Sequence, residues 1–121
     1  MKLGFLFPGQ GAQCVGMGKE LYEKYDSVKK IYDEVYRITG IDIARTSFEG
    51  PEELLNKTQY TQLAVLTNSL AILKVLKENN IVPEFSAGLS LGEYTALINE
   101  GVISFEEGVK LVSKRGECME K

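Results

Sequence analysis

The pentapeptide Gly88-Leu89-Ser90-Leu91-Gly92 places a serine between paired glycines, after a strand-like run and before a helix-like one. In that setting G-x-S-x-G forms a sharp turn that lifts a serine hydroxyl above the sheet as a nucleophile. Ser90 is then the candidate nucleophile. The backbone N–H of Leu91, at the positive end of the following helix, is a candidate oxyanion donor. The five residues alone suit a glycine-rich turn with a helix-capping serine equally well.

A second segment, Phe7-Pro8-Gly9-Gln10-Gly11-Ala12-Gln13, follows another strand-like run. Loops leaving the C-terminal ends of parallel strands converge, so this one can bring a second N–H, that of Gln10, towards Ser90. A well-placed oxyanion donor is worth roughly 2.7 to 4 kcal/mol. The glycines could instead cradle a nucleotide phosphate, but neither fingerprint fits. Cys14 stands where G-x-G-x-x-G needs its third glycine, and a P-loop ending at Gly18-Lys19 would need glycine at Gln13 and serine or threonine at Glu20.

The third chemical residue is Arg115. Helical spacing puts it on one face with Leu111, Val112, Cys118 and Met119, while Lys110 and Lys114 fall elsewhere. An inward guanidinium requires a partner. An internal Asp or Glu, or a snorkelling route to water, is the ordinary answer; a bound carboxylate, held bidentately, is the other.

The elements that must position these residues follow from periodicity. Leu3 to Phe7, stopped by Pro8-Gly9, and Glu84 to Gly88, opened by Pro83, read as buried strands. Ser27 is expected to cap a helix carrying Val28, Ile31, Val35 and Ile38 and closed by Gly40. A short helical turn from Gly50-Pro51 to Leu55 precedes a long helix from Thr61 to Glu78, with Leu63, Leu66, Leu70, Leu73 and Leu76 in register. Leu91, Tyr94, Thr95 and Ile98 mark the helix after the serine, and Gly101 ends it. Ser104 with Glu107 forms a capping box for a last helix that no stop signal closes. Alternating strands and helices indicate an α/β class with a mainly parallel sheet. Two strands are too few for an independent sheet, so the chain is expected to be part of a larger unit.

Taken together, the Phe7–Gln13 loop, Asn56-Lys57-Thr58 with Thr61-Gln62, the elbow continued through Glu93-Tyr94, and Arg115-Gly116 resemble the malonyl-CoA:acyl carrier protein transacylases of fatty acid synthesis, in order and in spacing. The resemblance covers essentially the whole chain. It implies an α/β-hydrolase-like core and a two-step transfer through acyl-Ser90. Backbone N–H groups of Gln10 and Leu91 would hold the oxyanion, Arg115 would pair with the malonyl carboxylate, and acyl carrier protein would collect the acyl group. Malonyl-CoA is a substrate, and neither a cofactor nor a metal is expected.

Two departures stand out. The family often has histidine before the serine, where Leu89 stands here. Its general base is a histidine well downstream, and these 121 residues contain none. Without a base a serine is a weak nucleophile. Residues 1–121 are therefore expected to be the N-terminal part of the catalytic domain, without the later strands and the ferredoxin-like small subdomain. Such a chain would be a truncation, a proteolytic product or half of a split enzyme, and would either self-associate or pair with a complementary C-terminal polypeptide. A serine thioesterase fragment, or a non-catalytic fragment binding coenzyme A or carrier protein, are the alternatives.

Bulk properties narrow the partners. Net charge is −3 with both signs scattered, which speaks against nucleic acid. The apolar stretches are shorter than the roughly 20 residues that span a bilayer. Met1-Lys2 leads straight into a strand-like run rather than a signal peptide, so a cytoplasmic location is expected, and Cys14 and Cys118, which form no C-x-x-C pair, read as reduced thiols.

Overall fold

The computed structural model describes residues 3–120; Met1, Lys2 and Lys121 lie outside them. Strand β1 (Gly4–Phe7) is followed by α1 (Lys19–Lys24), α2 (Asp26–Thr39), α3 (Ile43–Glu49), α4 (Glu52–Leu55) and α5 (Thr58–Glu78). Strand β2 (Phe85–Gly88), α6 (Leu91–Asn99) and α7 (Phe105–Glu120) complete the order. The strands pair in parallel, with Gly4 opposite Phe85 and Phe7 opposite Gly88, so both end at the same edge. This is a partial α/β core, as the strand and helix periodicities require.

Helix α5 is its centre. The leucines at 63, 66, 70 and 73 are buried as expected, but so are Thr61, Gln62, Ala64, Val65, Thr67, Ser69 and Ala71. A helix buried all round must be surrounded, and α2, α3, α4, α6 and α7 all pack on it. Thr67 satisfies its hydroxyl on the Leu63 carbonyl at 2.7 Å, as an apolar environment demands.

The sheet is covered on one face. Phe5 and Phe7 join the core and meet edge to face, with centroids 6.4 Å apart. Alternation turns Leu6 the other way, where it is 82% exposed beside Phe85 at 56%. The ring of Phe85 lies over Gly4, where even a methyl group would collide with it.

Three expectations are corrected. Ser27 does not cap α2: Tyr25 is the N-cap, and the buried Ser27 hydroxyl has no partner among the described residues. Helix α5 starts at Thr58, three residues before the expected Thr61, because Lys57 provides the extended N-cap. Short helices α1 and α3 were not anticipated, since six or seven residues leave too few apolar positions for a period to register. Packing holds them instead: Tyr22 of α1, Tyr32 of α2 and Phe48 of α3 form a cluster with centroids 5.2 to 5.6 Å apart.

The other end signals hold. Gly40 closes α2 at φ 75° and donates to the Tyr36 carbonyl. At the start of α7 the Glu107 N–H donates to Ser104 Oγ and the Ser104 N–H to Glu107 Oε1, both at 3.1 Å. Ser104 thereby holds the Glu107 carboxyl below its ordinary value, chiefly through its side chain.

Because Leu66 is fully buried on the central helix, Leu66→Ala is expected to cost about 2–5 kcal/mol. Urea denaturation followed by circular dichroism checks this, and a change near zero would show that α5 does not organise the core.

Candidate active site

The serine elbow forms at the shared end of the strands. Gly88 closes β2, Ser90 takes φ 55° and ψ −113°, and α6 starts at Leu91, whose side chain is fully buried and anchors the turn. Positive φ is costly for a residue with a Cβ. Neighbouring glycines allow the turn. A Cβ on Gly88 would lie 2.1 Å from the carbonyl of Gly92, and one on Gly92 would lie 2.1 Å from the carbonyl oxygen of Phe7. Backbone rests on backbone at both positions, so no side chain could yield. Ser90 itself is exposed at the crest.

The loop after β1 lies against this turn, as strand convergence predicts. At Gly9 a Cβ would be 3.1 Å from the Leu89 carbonyl oxygen and 3.7 Å from the Leu91 nitrogen. Among the described residues no partner takes the backbone N–H of either Gln10 or Leu91. Side chains tie the loop down at the start of α5. Gln13 Oε1 accepts from the Gly11 N–H and Gln13 Nε2 donates to Asn56 Oδ1, each at 2.8 Å. Gln62 Nε2 donates to Gln10 Oε1 at 3.1 Å, and Gln10 Nε2 makes a longer contact to Thr58 Oγ1 at 3.5 Å.

Arg115 reaches the serine from α7. Its Nη2 donates to Ser90 Oγ at 2.8 Å, its Nη1 donates to Gln62 Oε1, and its guanidinium carbon is 5.5 Å from the centre of the Tyr94 ring. The internal carboxylate considered for it is absent: among the described residues no Asp or Glu pairs with Arg115. Its helical face is also corrected. Leu111, Cys118 and Met119 are exposed, and the buried stripe of α7 is Gly108, Val109, Val112 and Gly116. Arg115 stands at the margin of that stripe, half-buried. Gly116 sets its depth, because a Cβ there would meet the backbone of Gln59 at 3.0 Å. Close approach of α7 to α5 at this point delivers the arginine to the serine.

Gln10, Ser90, Leu91 and Arg115 are thus brought to one place. Gln62 and Tyr94 belong there too, without having been singled out individually. The signal for Gln62 was available: an amide amid leucines on a helix buried all round needs a polar partner. Among the described residues, the site holds a hydroxyl, a cation without a paired carboxylate and two N–H groups without partners. That set suits acyl transfer with an anionic acyl group.

Residues 4–121 match the acyl transferase domain family. The chain is 48% identical over 118 residues to a malonyl CoA-acyl carrier protein transacylase of Bacillus subtilis strain 168, covering 98% of this chain and 37% of that protein. A solved malonyl CoA-acyl carrier protein transacylase from Clostridium perfringens ATCC 13124 superposes with a TM-score of 0.91 at 51% identity, covering 97% of this chain and 37% of that one. A type II PKS acyl-carrier protein in complex with its malonyl-transacylase matches with a TM-score of 0.93 at 40% identity, covering 99% and 39%. The chain therefore spans less than two fifths of the length of these relatives.

The backbone at Ser90 generates a stability prediction. Both Ser90→Gly and Ser90→Ala remove the hydroxyl, but only glycine relieves the positive φ, so the glycine variant is expected to be the more stable by about 1–2 kcal/mol. Denaturant midpoints of the two variants decide it, and the usual order, alanine above glycine, would mean that the turn carries no strain.

Proposed function

The chain belongs to the acyl transferase domain family, and from that premise we propose that it carries the acyl-accepting site for malonyl transfer from coenzyme A to acyl carrier protein. The observation behind this reading is the 2.8 Å contact between Arg115 Nη2 and Ser90 Oγ, made by a guanidinium with no carboxylate partner among the described residues. Once malonyl is esterified to Ser90, its carboxylate lies one methylene beyond the ester carbonyl. That is where a cation beside the serine can pair with it. An acetyl group offers no such anion.

In the first step Ser90 Oγ bonds to the thioester carbonyl carbon and its proton passes to a base. The tetrahedral oxyanion is received by the N–H groups of Gln10 and Leu91. The C–S bond then breaks, and coenzyme A leaves as a thiol after taking up the proton. In the second step the phosphopantetheine sulfur of acyl carrier protein bonds to the ester carbonyl carbon, the bond from that carbon to Ser90 Oγ breaks, and the thiol proton passes through the base to Oγ, restoring the hydroxyl. The solved complex of a related malonyl-transacylase with an acyl-carrier protein supports that acceptor.

These 121 residues contain no histidine, so the base of this scheme comes from elsewhere. The family resemblance assigns it to a histidine beyond the portion shared with this chain, and we infer that polypeptide C-terminal to that portion supplies it. The same polypeptide would cover the open sheet face around Leu6 and Phe85. Left alone, that face favours self-association. Two free and exposed thiols, Cys14 and Cys118, are in keeping with a cytoplasmic setting.

Three outcomes are expected. Intact mass spectrometry after incubation with malonyl-CoA should show a malonyl adduct on Ser90 when that C-terminal polypeptide is present; no adduct in its presence would remove Ser90 from its role. In the assembled enzyme Arg115→Ala should lower malonyl transfer by about tenfold or more, the loss of a hydrogen bond to a charged group, while sparing acetyl transfer. Equal losses for both acyl groups would refute the assignment. Sedimentation velocity of the lone chain should show concentration-dependent association that Leu6→Lys weakens, and unchanged association would exclude the sheet face as the contact.

A further inference from the structure

Gln62 is only 1% exposed, yet both ends of its amide are engaged. Oε1 accepts from Arg115 Nη1, and Nε2 donates to Gln10 Oε1 at 3.1 Å. The chemistry of the partners fixes which way this amide faces. A guanidinium can only donate, so it must meet Oε1, which leaves Nε2 for the carbonyl oxygen of Gln10. One buried side chain thus connects the loop that offers an oxyanion donor with the residue that reads a carboxylate.

Its position gives that connection a purpose. Arg115 has a long, rotamer-rich side chain, is half-buried, and stands on α7 with no carboxylate partner among the described residues. Gln62 stands on α5, the helix that every surrounding helix except α1 packs against, and is flanked there by the buried Thr61 and Leu63. A neutral acceptor restrains the guanidinium and leaves its charge whole. A carboxylate at the same place would hold it more tightly and cancel that charge, taking the role of the ligand. We propose that Gln62 is a positioning residue, which aims the Arg115 guanidinium at the acyl group on Ser90 with its charge uncompensated and keeps it in register with the Gln10 loop. The proposal rests on the reading of Arg115 as the receptor for the malonyl carboxylate.

Two measurements on the full 121-residue chain test it. Nitrogen-15 NMR of the guanidinium reports restraint directly. The Nη signals of Arg115 should be resolved in the native chain and averaged by rotation in Gln62→Leu, and unchanged signals in that variant would overturn the proposal. Isothermal titration with malonyl-CoA and with acetyl-CoA reports the consequence. The ratio of malonyl-CoA affinity to acetyl-CoA affinity should fall about tenfold in Gln62→Leu, through lost aim, and in Gln62→Glu, through the competing carboxylate. A ratio preserved in both variants would overturn the proposal. If the native chain itself shows no preference for malonyl-CoA, the reading of Arg115 fails, and the Nη signals alone decide whether Gln62 holds it. Should Gln62→Leu fail to fold, Gln62→Glu, of the same size, carries the decision through the ratio.

Discussion

Direct backbone-to-backbone packing at the end of the two strands is the constraint on which the site depends. The carbonyl of Phe7 lies where a Cβ on Gly92 would be, and the carbonyl of Gly92 lies where a Cβ on Gly88 would be. Helix α6 can therefore begin directly against the end of β1, with the β1 loop alongside it. The turn between β2 and α6 has no room to relax, so Ser90 keeps its positive φ. Strain at Ser90 is the other side of close packing beneath it, and Leu91, buried directly after the serine, stops the helix end from rotating away.

A second close approach brings in the cation. Gly116 lets α7 cross α5 at Gln59, one turn before Gln62. Arg115 precedes that glycine, so the crossing point sets the distance from which the arginine reaches Ser90. Helix α5 serves both contacts. Its middle is apolar and forms the core, while its first turns carry Thr58, Thr61 and Gln62, which satisfy backbone and loop. The single hydroxyl proton of Thr61 is directed at the nearby Leu55 carbonyl, with the Lys57 carbonyl 3.1 Å away, closing the junction between α4 and α5 from within. An apolar residue at either 61 or 62 would leave polar partners stranded, at a cost of about 1–3 kcal/mol each.

The sheet shows why this arrangement is only part of a core. One face is packed through Phe5 and Phe7, and the other presents Leu6 and Phe85. Two strands covered on one side satisfy the geometry of the elbow, because the elbow needs only the shared C-terminal edge. Exclusion of water from the far face requires more protein than these residues provide.

Most of the elements were legible in the sequence, because each rests on a local pattern. Glycine and proline stop the strands, leucines recur at helical spacing in α5, and Ser104 with Glu107 opens α7. Local patterns failed where packing took over: α1 and α3 are held by an aromatic cluster drawn from three helices, and Tyr25 displaced Ser27 as the cap of α2. Likewise, Ser90, Gln10, Leu91 and Arg115 could be named as candidates from residue type, motif and resemblance. What only the tertiary structure decided is the partner of Arg115. Spacing put a cation on an apolar face, but whether it meets a carboxylate or a neutral group depends on helices distant in sequence. The crossing at Gly116 and Gln59 placed a neutral amide and a serine hydroxyl beside it, contacts 53 and 25 residues away along the chain. No periodicity within a single element encodes such a distance.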